Sequence, residues 1–187
     1  MSDSYETISE HMRAFIERQH VFFVATAPSG ADGRVNLSPK GLDTLRVLDE
    51  RTVAYLDFVG SGVETIAHLR ENGRIVLMFC AFSGPPNIVR LHGRGEVIES
   101  RDARFEALAA RFPAAPGTRA VIQVAVERAS DSCGYGVPLY EYQGERKQLA
   151  LWAEKRGPEG LVRYQEEKNA ASIDGLPGLR WVDKPAK

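Results

Sequence analysis

The pattern of hydrophobic and polar positions predicts a chain built mostly of short strands, with a few helices between them. Ile8, Met12, Phe15 and Ile16 share one helical face, which predicts a first helix. Six runs rich in β-branched and aromatic residues are predicted as strands: residues 21–27, 34–38, 52–58, 74–82, 88–99 and 119–127. Turn residues at 28–30 and 32–33 predict that the first two strands form a hairpin.

Two further helices are predicted between strands. One follows the G-S-G turn at 60–62 and carries Ile66 and Leu69, and the other covers residues 105–112 and ends at Pro113. These helices are too few to connect every pair of strands by a crossover, so the sheet is predicted to be largely antiparallel. Six short strands separated by frequent turns favour a small barrel.

The pattern changes after Ser130. A glycine-rich loop, S-C-G-Y-G-V, is followed by a predicted helix over residues 145–156, a break at Gly157-Pro158 and a second helix to about Lys168. We therefore expect a barrel domain over residues 1–130 and a C-terminal loop and helical extension, residues 131–187, packed on it. Three large aromatic side chains of the extension are candidate lids over a cleft: Tyr135, Trp152 and Trp181. For Trp152, packing in the core is the favoured alternative.

Composition and charge narrow the function classes. The 187 residues include 24 Lys and Arg against 25 Asp and Glu, a net charge of −1, which argues against a chain-wide grip on nucleic acid or an anionic membrane. The longest apolar stretch, residues 75–82, is too short to span a membrane. Two cysteines outside any C-x-x-C pair and the lack of a secretory pattern favour a cytoplasmic protein.

Metal and thiol chemistry find little support in the sequence. The four histidines have no metal-ligand spacing, so no metal site is predicted, and His92 is more consistent with a hydrogen-bonded strand residue. Cys80 lies in an apolar strand and is expected to be a buried hydrophobe. For Cys133, an ordinary loop cysteine is favoured over a reactive thiol.

Two segments are candidate anion sites. N-L-S-P-K-G at 36–41 places Lys40 where a strand ends, and a solvated turn lysine is an equally good interpretation. G-S-G at 60–62 precedes a helix whose free amides favour an anion. A capping box between Ser61 and Glu64 would satisfy those amides internally, and from spacing alone it is the favoured alternative.

The order of motifs resembles one known family. R-V-N-L-S-P-K-G (34–41), V-A-Y-L-D-F-V-G-S-G (53–62), N-G-R-I-V-L-M-F (72–79) and I-V-R-L-H-G-R-G-E-V-I (88–98) together resemble the pyridoxamine 5′-phosphate oxidase-like FMN-binding family. The resemblance covers roughly residues 10–130. It implies a six-stranded split β-barrel that forms a homodimer and binds FMN at the subunit interface.

The resemblance also implies a set of flavin-binding residues. The backbone of Asn36 to Ser38 would face the isoalloxazine ring, Lys40 would meet the phosphate, and Glu64 stands where the oxidases carry a basic residue. The residues implied to bind the cofactor are Val35, Asn36, Leu37, Ser38, Lys40, Tyr55, Leu56, Ser61, Thr65 and Arg90. Arg70 is an alternative to Arg90.

The implied function is an FMN-dependent oxidoreductase acting on an unknown small molecule, with NADH or NADPH as a candidate electron donor. No catalytic acid or base is assigned. The C-terminal segment lacks the R-L-H-D-R-like motif of the vitamin-converting oxidases, and a Q-S pair upstream is also missing, which argues against oxidation of pyridoxamine phosphate. The alternatives are a non-catalytic flavin-binding, storage or sensor module, and a split barrel that binds haem, through His92 or Cys133, or a deazaflavin.

Overall fold

The computed structural model describes residues 4–182 of the chain. Its helices are α1 (Glu10–Ile16), α2 (Glu64–Asn72), α3 (Phe105–Ala109) and α4 (Gln148–Lys168). Its strands are β1 (Ser4–Tyr5), β2 (Phe22–Thr26), β3 (Asn36–Lys40), β4 (Leu45–Asp49), β5 (Thr52–Phe58), β6 (Arg74–Cys80), β7 (Ile88–Glu99) and β8 (Thr118–Ser132).

All eight strands belong to one antiparallel sheet, in the order β3-β2-β6-β7-β8-β5-β4, and β1 pairs with the far part of β8. The edge strands β3 and β4 do not pair with each other in this part of the chain, so the barrel is split. The predicted fold, a largely antiparallel split barrel with flanking helices and a C-terminal helix, is confirmed.

The strand count was wrong: the sheet has two strands more than the six predicted. β4 forms a hairpin with β5, and β1 contributes only two residues. The predicted β2–β3 hairpin is present, although β3 begins at Asn36. α3 ends at Ala109, before the predicted end at residue 112. The predicted break in α4 is a kink at Gly157, which adopts a φ of 66° that L-residues rarely take.

The main hydrophobic core lies between the inner face of the sheet and two flanking segments. α1 contributes Met12, Phe15 and Ile16, and the C-terminal segment contributes Leu179 and Val182 to the same cluster. The C-terminal residues therefore take part in the core of the barrel. The division into two domains at residue 130 stays a prediction.

Within residues 4–182, no helix combines the length and the apolar character that crossing a membrane requires.

Candidate functional site

Strand β3 presents two different faces. Asn36 and Lys40 pair with Thr26 and Phe22, whose side chains are buried, so the alternation of the strand directs Asn36, Ser38 and Lys40 to the inner side. Leu37 lies on the opposite side and is 64% exposed. The inner side of this edge strand is thus a row of three polar residues, and we call Asn36, Ser38 and Lys40 the polar row.

The polar row is connected to the start of α2. The Asn36 side-chain amide donates to Thr65 Oγ1 at 3.0 Å and to Thr26 Oγ1 at 3.3 Å, and the Ser38 hydroxyl donates to Asn36 Oδ1 at 3.2 Å. Thr26 Oγ1 also lies 3.0 Å from Nδ1 of His68, which is fully buried. These bonds bring β3 against the first turn of α2, which carries Thr65, a residue of the flavin-binding set that the family resemblance implies.

The other end of the polar row meets a buried carboxylate. Lys40 Nζ lies 3.2 Å from Asp57 Oδ1, and Arg119 Nε donates to Asp57 Oδ2 at 2.7 Å. Burial by itself raises the pKa of the Asp57 carboxyl, but the charges of Arg119 and Lys40 outweigh it and hold the pKa below its ordinary value. Asp57 is therefore ionised at neutral pH, and two cations share one negative charge.

This charge cluster extends to the G-S-G turn at 60–62. Arg119 Nη1 donates to Asn169 Oδ1 at 2.9 Å, and Asn169 Nδ2 donates to the carbonyl oxygen of Gly60 at 2.9 Å. A continuous chain of contacts therefore runs from Lys40 to the turn that carries Ser61, which is itself exposed. The structure brings together the surroundings of both anion sites considered in the sequence.

The capping box that competed with the second anion site is absent. α2 begins at Glu64, its N-cap is Val63, and no side chain among residues 4–182 caps it. The Glu64 carboxylate instead accepts a hydrogen bond from the backbone of Ile173. The spacing of Ser61 and Glu64 was a misleading signal because the C-terminal segment supplies the partner of Glu64.

Besides Leu37, three residues of the predicted set are not accessible from the inner side of β3. Tyr55 and Leu56 are 0% and 3% exposed and pack in the two core clusters, so their side chains are not accessible beside β3. Arg90 pairs with Met78, which pairs with Phe23, and this register places it on the opposite face of the sheet from Lys40. Within one chain, Arg90 does not join the Lys40 cluster.

The remaining residues singled out in the sequence are two cysteines, a histidine and a tryptophan. Cys80 is buried and Cys133 is exposed, and burial raises the pKa of the Cys80 thiol. His92 is a half-buried strand residue on β7. Among residues 4–182, no group of three or more His, Cys, Asp or Glu side chains is placed to hold a metal ion. Trp152 packs edge-on against Tyr164 within α4.

Two cavities lie at the end of the sheet where β3 ends and β2 begins. One has a volume of about 340 Å³ and includes Gly41, which follows Lys40. The other, of about 820 Å³, is lined by Phe82, Leu139 and Tyr140. His20 and Tyr142 line both cavities, and their rings stack with centroids 3.6 Å apart. Aromatic walls of this kind suit a flat, largely apolar molecule.

Sequence reasoning missed four residues of the site: Asp57, Arg119, Asn169 and His68. Only Asp57 carries a local signal, because a carboxylate inside the apolar run V-A-Y-L-D-F-V must be paired if that strand is buried. The partners of Asp57 are Lys40 and Arg119, Asn169 binds Arg119 in turn, and no spacing rule connects these positions.

Comparisons with known proteins agree on one family. The family model described as pyridoxamine 5′-phosphate oxidase matches residues 8–133. A pyridoxamine 5′-phosphate oxidase family protein, ustO of Aspergillus flavus, is 42% identical over 193 residues, which cover 94% of this chain and 77% of that protein.

Solved structures share the fold. HupZ from Group A Streptococcus is 27% identical with a TM-score of 0.51, covering 65% of this chain and 91% of its own. A Lactobacillus delbrueckii protein, described as a candidate pyridoxamine 5′-phosphate oxidase, is 21% identical with a TM-score of 0.51, covering 67% of this chain and 94% of its own. The chain belongs to the pyridoxamine 5′-phosphate oxidase family.

Proposed function

We propose that this protein binds FMN, with the flavin phosphate at the end of the polar row, and that it is a flavin-dependent oxidoreductase. The observation that carries the proposal is the cluster in which Lys40 and Arg119 share the single carboxylate of Asp57. The cluster has one positive charge in excess, and the Lys40 side chain, at 22% exposure, is accessible to an anion.

The donors around the cluster fit a phosphate monoester. Lys40 supplies a charged donor, and the exposed Ser61 hydroxyl, on the turn that is joined to the cluster through Asn169, supplies a neutral one, which is the donor chemistry that phosphate oxygens accept. Glu64 puts a negative charge on the first turn of α2, where it opposes a phosphate on the helix axis. We therefore place the phosphate toward Lys40.

The ring of the flavin is proposed to lie along β3. β3 has a strand partner on one side only among the described residues, so the backbone of residues 36–38 has a free edge for hydrogen bonds to a ring system. When bound, FMN would supply hydride or electron transfer. The part of this chain would be to hold the ring on β3 and to set the charge around its phosphate.

A homodimer is proposed from the outer face of the same strands. Val35 is 73% exposed and Leu37 is 64% exposed, and Leu37 pairs with Ala25, which pairs with Val76. A second copy related by a two-fold axis would cover this apolar face and close the groove beside β3.

The aromatic cavity of about 820 Å³ supports a small, flat substrate, and NADH or NADPH is the proposed electron donor. The competing function is a flavin-binding module without catalysis. Mixing the FMN-loaded protein with NADPH or NADH distinguishes the enzyme from the non-catalytic module, because reduction of the flavin is measured as a loss of its absorbance. Reduction within seconds supports the enzyme, and flavin that stays oxidised for hours contradicts it.

The binding proposal is tested by titrating purified protein with FMN and riboflavin. We expect yellow protein that binds FMN at least about tenfold more tightly than riboflavin, because the two ligands differ only in the phosphate. Lys40→Met should remove most of that preference. Lys155→Met, at an exposed lysine on α4, is the matched control and should retain it. Wild-type protein that binds neither ligand would overturn the proposal.

The homodimer is tested separately, by sedimentation. A monomer at micromolar protein concentration would overturn the proposed dimer.

A further inference from the structure

The C-terminal segment reaches the candidate phosphate site through one buried residue. Asn169 caps the C-terminal end of α4 and is 0% exposed. Its side-chain oxygen accepts from Arg119, and its side-chain nitrogen donates to the carbonyl oxygen of Gly60. Arg119 can only donate and a carbonyl can only accept, so these two partners fix the orientation of the amide. We propose that Asn169 is the positioning residue that holds the G-S-G turn against the Lys40–Asp57–Arg119 cluster, and that it thereby sets the affinity for the flavin phosphate.

The first step of the argument concerns Arg119. Its guanidinium is divided between Asp57 Oδ2 at 2.7 Å and Asn169 Oδ1 at 2.9 Å, and its side chain is only 5% exposed. Because Arg119 is held from two sides, Asp57 is fixed as well, and its second oxygen faces Lys40. Asn169 therefore acts on the Lys40 ammonium through two intervening side chains, without touching a ligand itself.

The second step concerns the turn. Val59 and Val63 anchor the two ends of this turn in the protein interior, and the bond from Asn169 to the Gly60 carbonyl joins the turn to the cation cluster. One amide thus connects the two segments that are proposed to hold the phosphate. Losing it would let the turn and the cation cluster move apart.

The third step concerns the support behind Asn169, which we call the tail loop (residues 169–179). Leu179 N donates to the Asn169 carbonyl, Gly178 N donates to the Ala170 carbonyl, and Ala171 bridges Pro177. A Cβ on Gly178 would overlap the Asn169 carbonyl oxygen and lie 3.0 Å from Val63 Cγ1, so the loop packs tightly between Asn169 and the residue before α2. This support leaves Asn169 little freedom to move.

The tail loop also touches the rest of the candidate site. Ile173 N donates to Glu64, and Asp174 accepts from the backbone and the guanidinium of Arg34, just before β3. These contacts attach the loop to the first turn of α2 and to the beginning of the strand that carries the polar row. The C-terminal segment is therefore part of the framework of the site.

The test measures the ratio of the riboflavin dissociation constant to the FMN dissociation constant by flavin fluorescence, with the full-length chain. The ratio isolates the phosphate, whereas a general loss of structure weakens both ligands together. We expect Asn169→Ala to lower the ratio about five- to tenfold, as for the loss of one charge-assisted hydrogen bond, while riboflavin affinity changes less than about twofold. Asn169→Asp keeps the size and the Arg119 contact but removes the donor to Gly60 and adds a negative charge, so it should lower the ratio further.

Gln165→Ala is the matched control. Gln165 lies one turn earlier on α4 and is similarly buried, and its side-chain amide donates, within the described part of the chain, to the Leu161 carbonyl of its own helix. It should leave the ratio unchanged. If Asn169→Ala does not fold, as judged by urea unfolding, Asn169→Asp gives the decisive ratio.

The outcomes separate this inference from the proposed function on which it rests. Wild-type protein that binds FMN no more tightly than riboflavin would overturn the proposed phosphate site and this inference with it. A wild-type preference for FMN that survives both Asn169 variants, or that Gln165→Ala reduces equally, would overturn the positioning role alone.

Discussion

Two buried carboxylates flank the same residue of the sheet, and they differ in what they bind. Asp57 on β5 and Glu99 on β7 both pair with Ala120 of β8, so they share one face of the sheet, two strand spacings apart. Asp57 binds Arg119 and also Lys40, which is partly exposed on an edge strand. Glu99 binds Arg70 and accepts the backbone N–H of Arg180 with both carboxylate oxygens.

The difference between them separates a candidate site from an anchor. At Asp57 the second partner is a charged side chain that solvent and ligands can reach. At Glu99 the second partner is a main-chain group, so that carboxylate fastens the C-terminal segment to the sheet. Burial and pairing with arginine are common to both carboxylates, and the partly exposed lysine bonded directly to Asp57 is the feature on which the proposed anion site rests.

The largest expected effect comes from Asp57→Asn. It leaves the Arg119 guanidinium buried without its counter-charge, which should lower the free energy of unfolding by about 3–5 kcal/mol. Urea unfolding followed by circular dichroism measures the change. A loss below about 1 kcal/mol would contradict the view that Asp57 organises this region.

The same carboxylate predicts the response to acid. Because the pKa of Asp57 is lower in the folded chain than its ordinary value of 3.8, the unfolded chain binds more protons as the pH falls through this range. The stabilisation is complete above about pH 4 and is lost below it, as the pH falls through the folded-state pKa. Urea unfolding from neutral pH down into this acid range should show a steeper decline for wild type than for Asp57→Asn. Parallel curves would assign the acid sensitivity to other carboxylates.

Glu99→Gln is expected to cost less, about 1–3 kcal/mol, because glutamine keeps an acceptor for the Arg180 N–H while the charge opposite Arg70 is lost. Its FMN-to-riboflavin preference should equal that of wild type. A changed preference would remove the distinction between anchor and site.

Lys40→Met should lower stability by only about 1 kcal/mol, because Asp57 keeps its bond to Arg119. Its effect on FMN affinity should be far larger than its effect on unfolding. The two measurements, made on one preparation, sharpen the comparison. A stability loss as large as that of Asp57→Asn would show that Lys40 has a structural role.

The smallest effect is expected from Glu127→Gln, because Arg94, the partner in this ion pair, also donates to the Asn72 carbonyl and keeps that bond in the variant. The pair joins side chains that are 56% exposed at Arg94 and 59% exposed at Glu127, so the change should stay within about 0.5 kcal/mol. Urea unfolding of this variant, measured together with the Glu99 and Asp57 variants, gives the three losses of unfolding free energy on one scale. A loss above about 1 kcal/mol would show that exposure does not separate weak pairs from strong ones in this sheet.

The fold was predictable wherever neighbours in sequence are neighbours in space. The P-S-G and D-G turns identified the β2–β3 hairpin, and Gly157-Pro158 identified the kink in α4, because each signal acts within a few residues. β4 was missed because its run, L-R-V-L-D, is short, half-buried and separated from β5 by only a tight turn. β1 is two residues long and has no periodicity to detect.

The candidate site was predictable only in part. Lys40 and Thr65 could be proposed because the family resemblance points to their segments, whereas the roles of Arg119 and Asn169 depend on contacts that span 62 and 109 residues. Ser61 and Glu64 show the converse failure, since a correct local motif was overridden by the distant Ile173. Long-range hydrogen bonds leave no periodic trace in a sequence, so they have to be read from coordinates.

The position of Asn169 at the end of α4 also bears on the order in which parts of the molecule fold. Every strand of the sheet precedes residue 133, while the amide that joins Arg119 to Gly60 comes from residue 169. During synthesis the strands are therefore made before residue 169, so pairing within the sheet can begin before this amide is present. A chain cut short just before Asn169 would contain every described strand but would lack Leu179 and Val182 of the core as well as this amide, so both its stability and its preference for FMN are expected to fall.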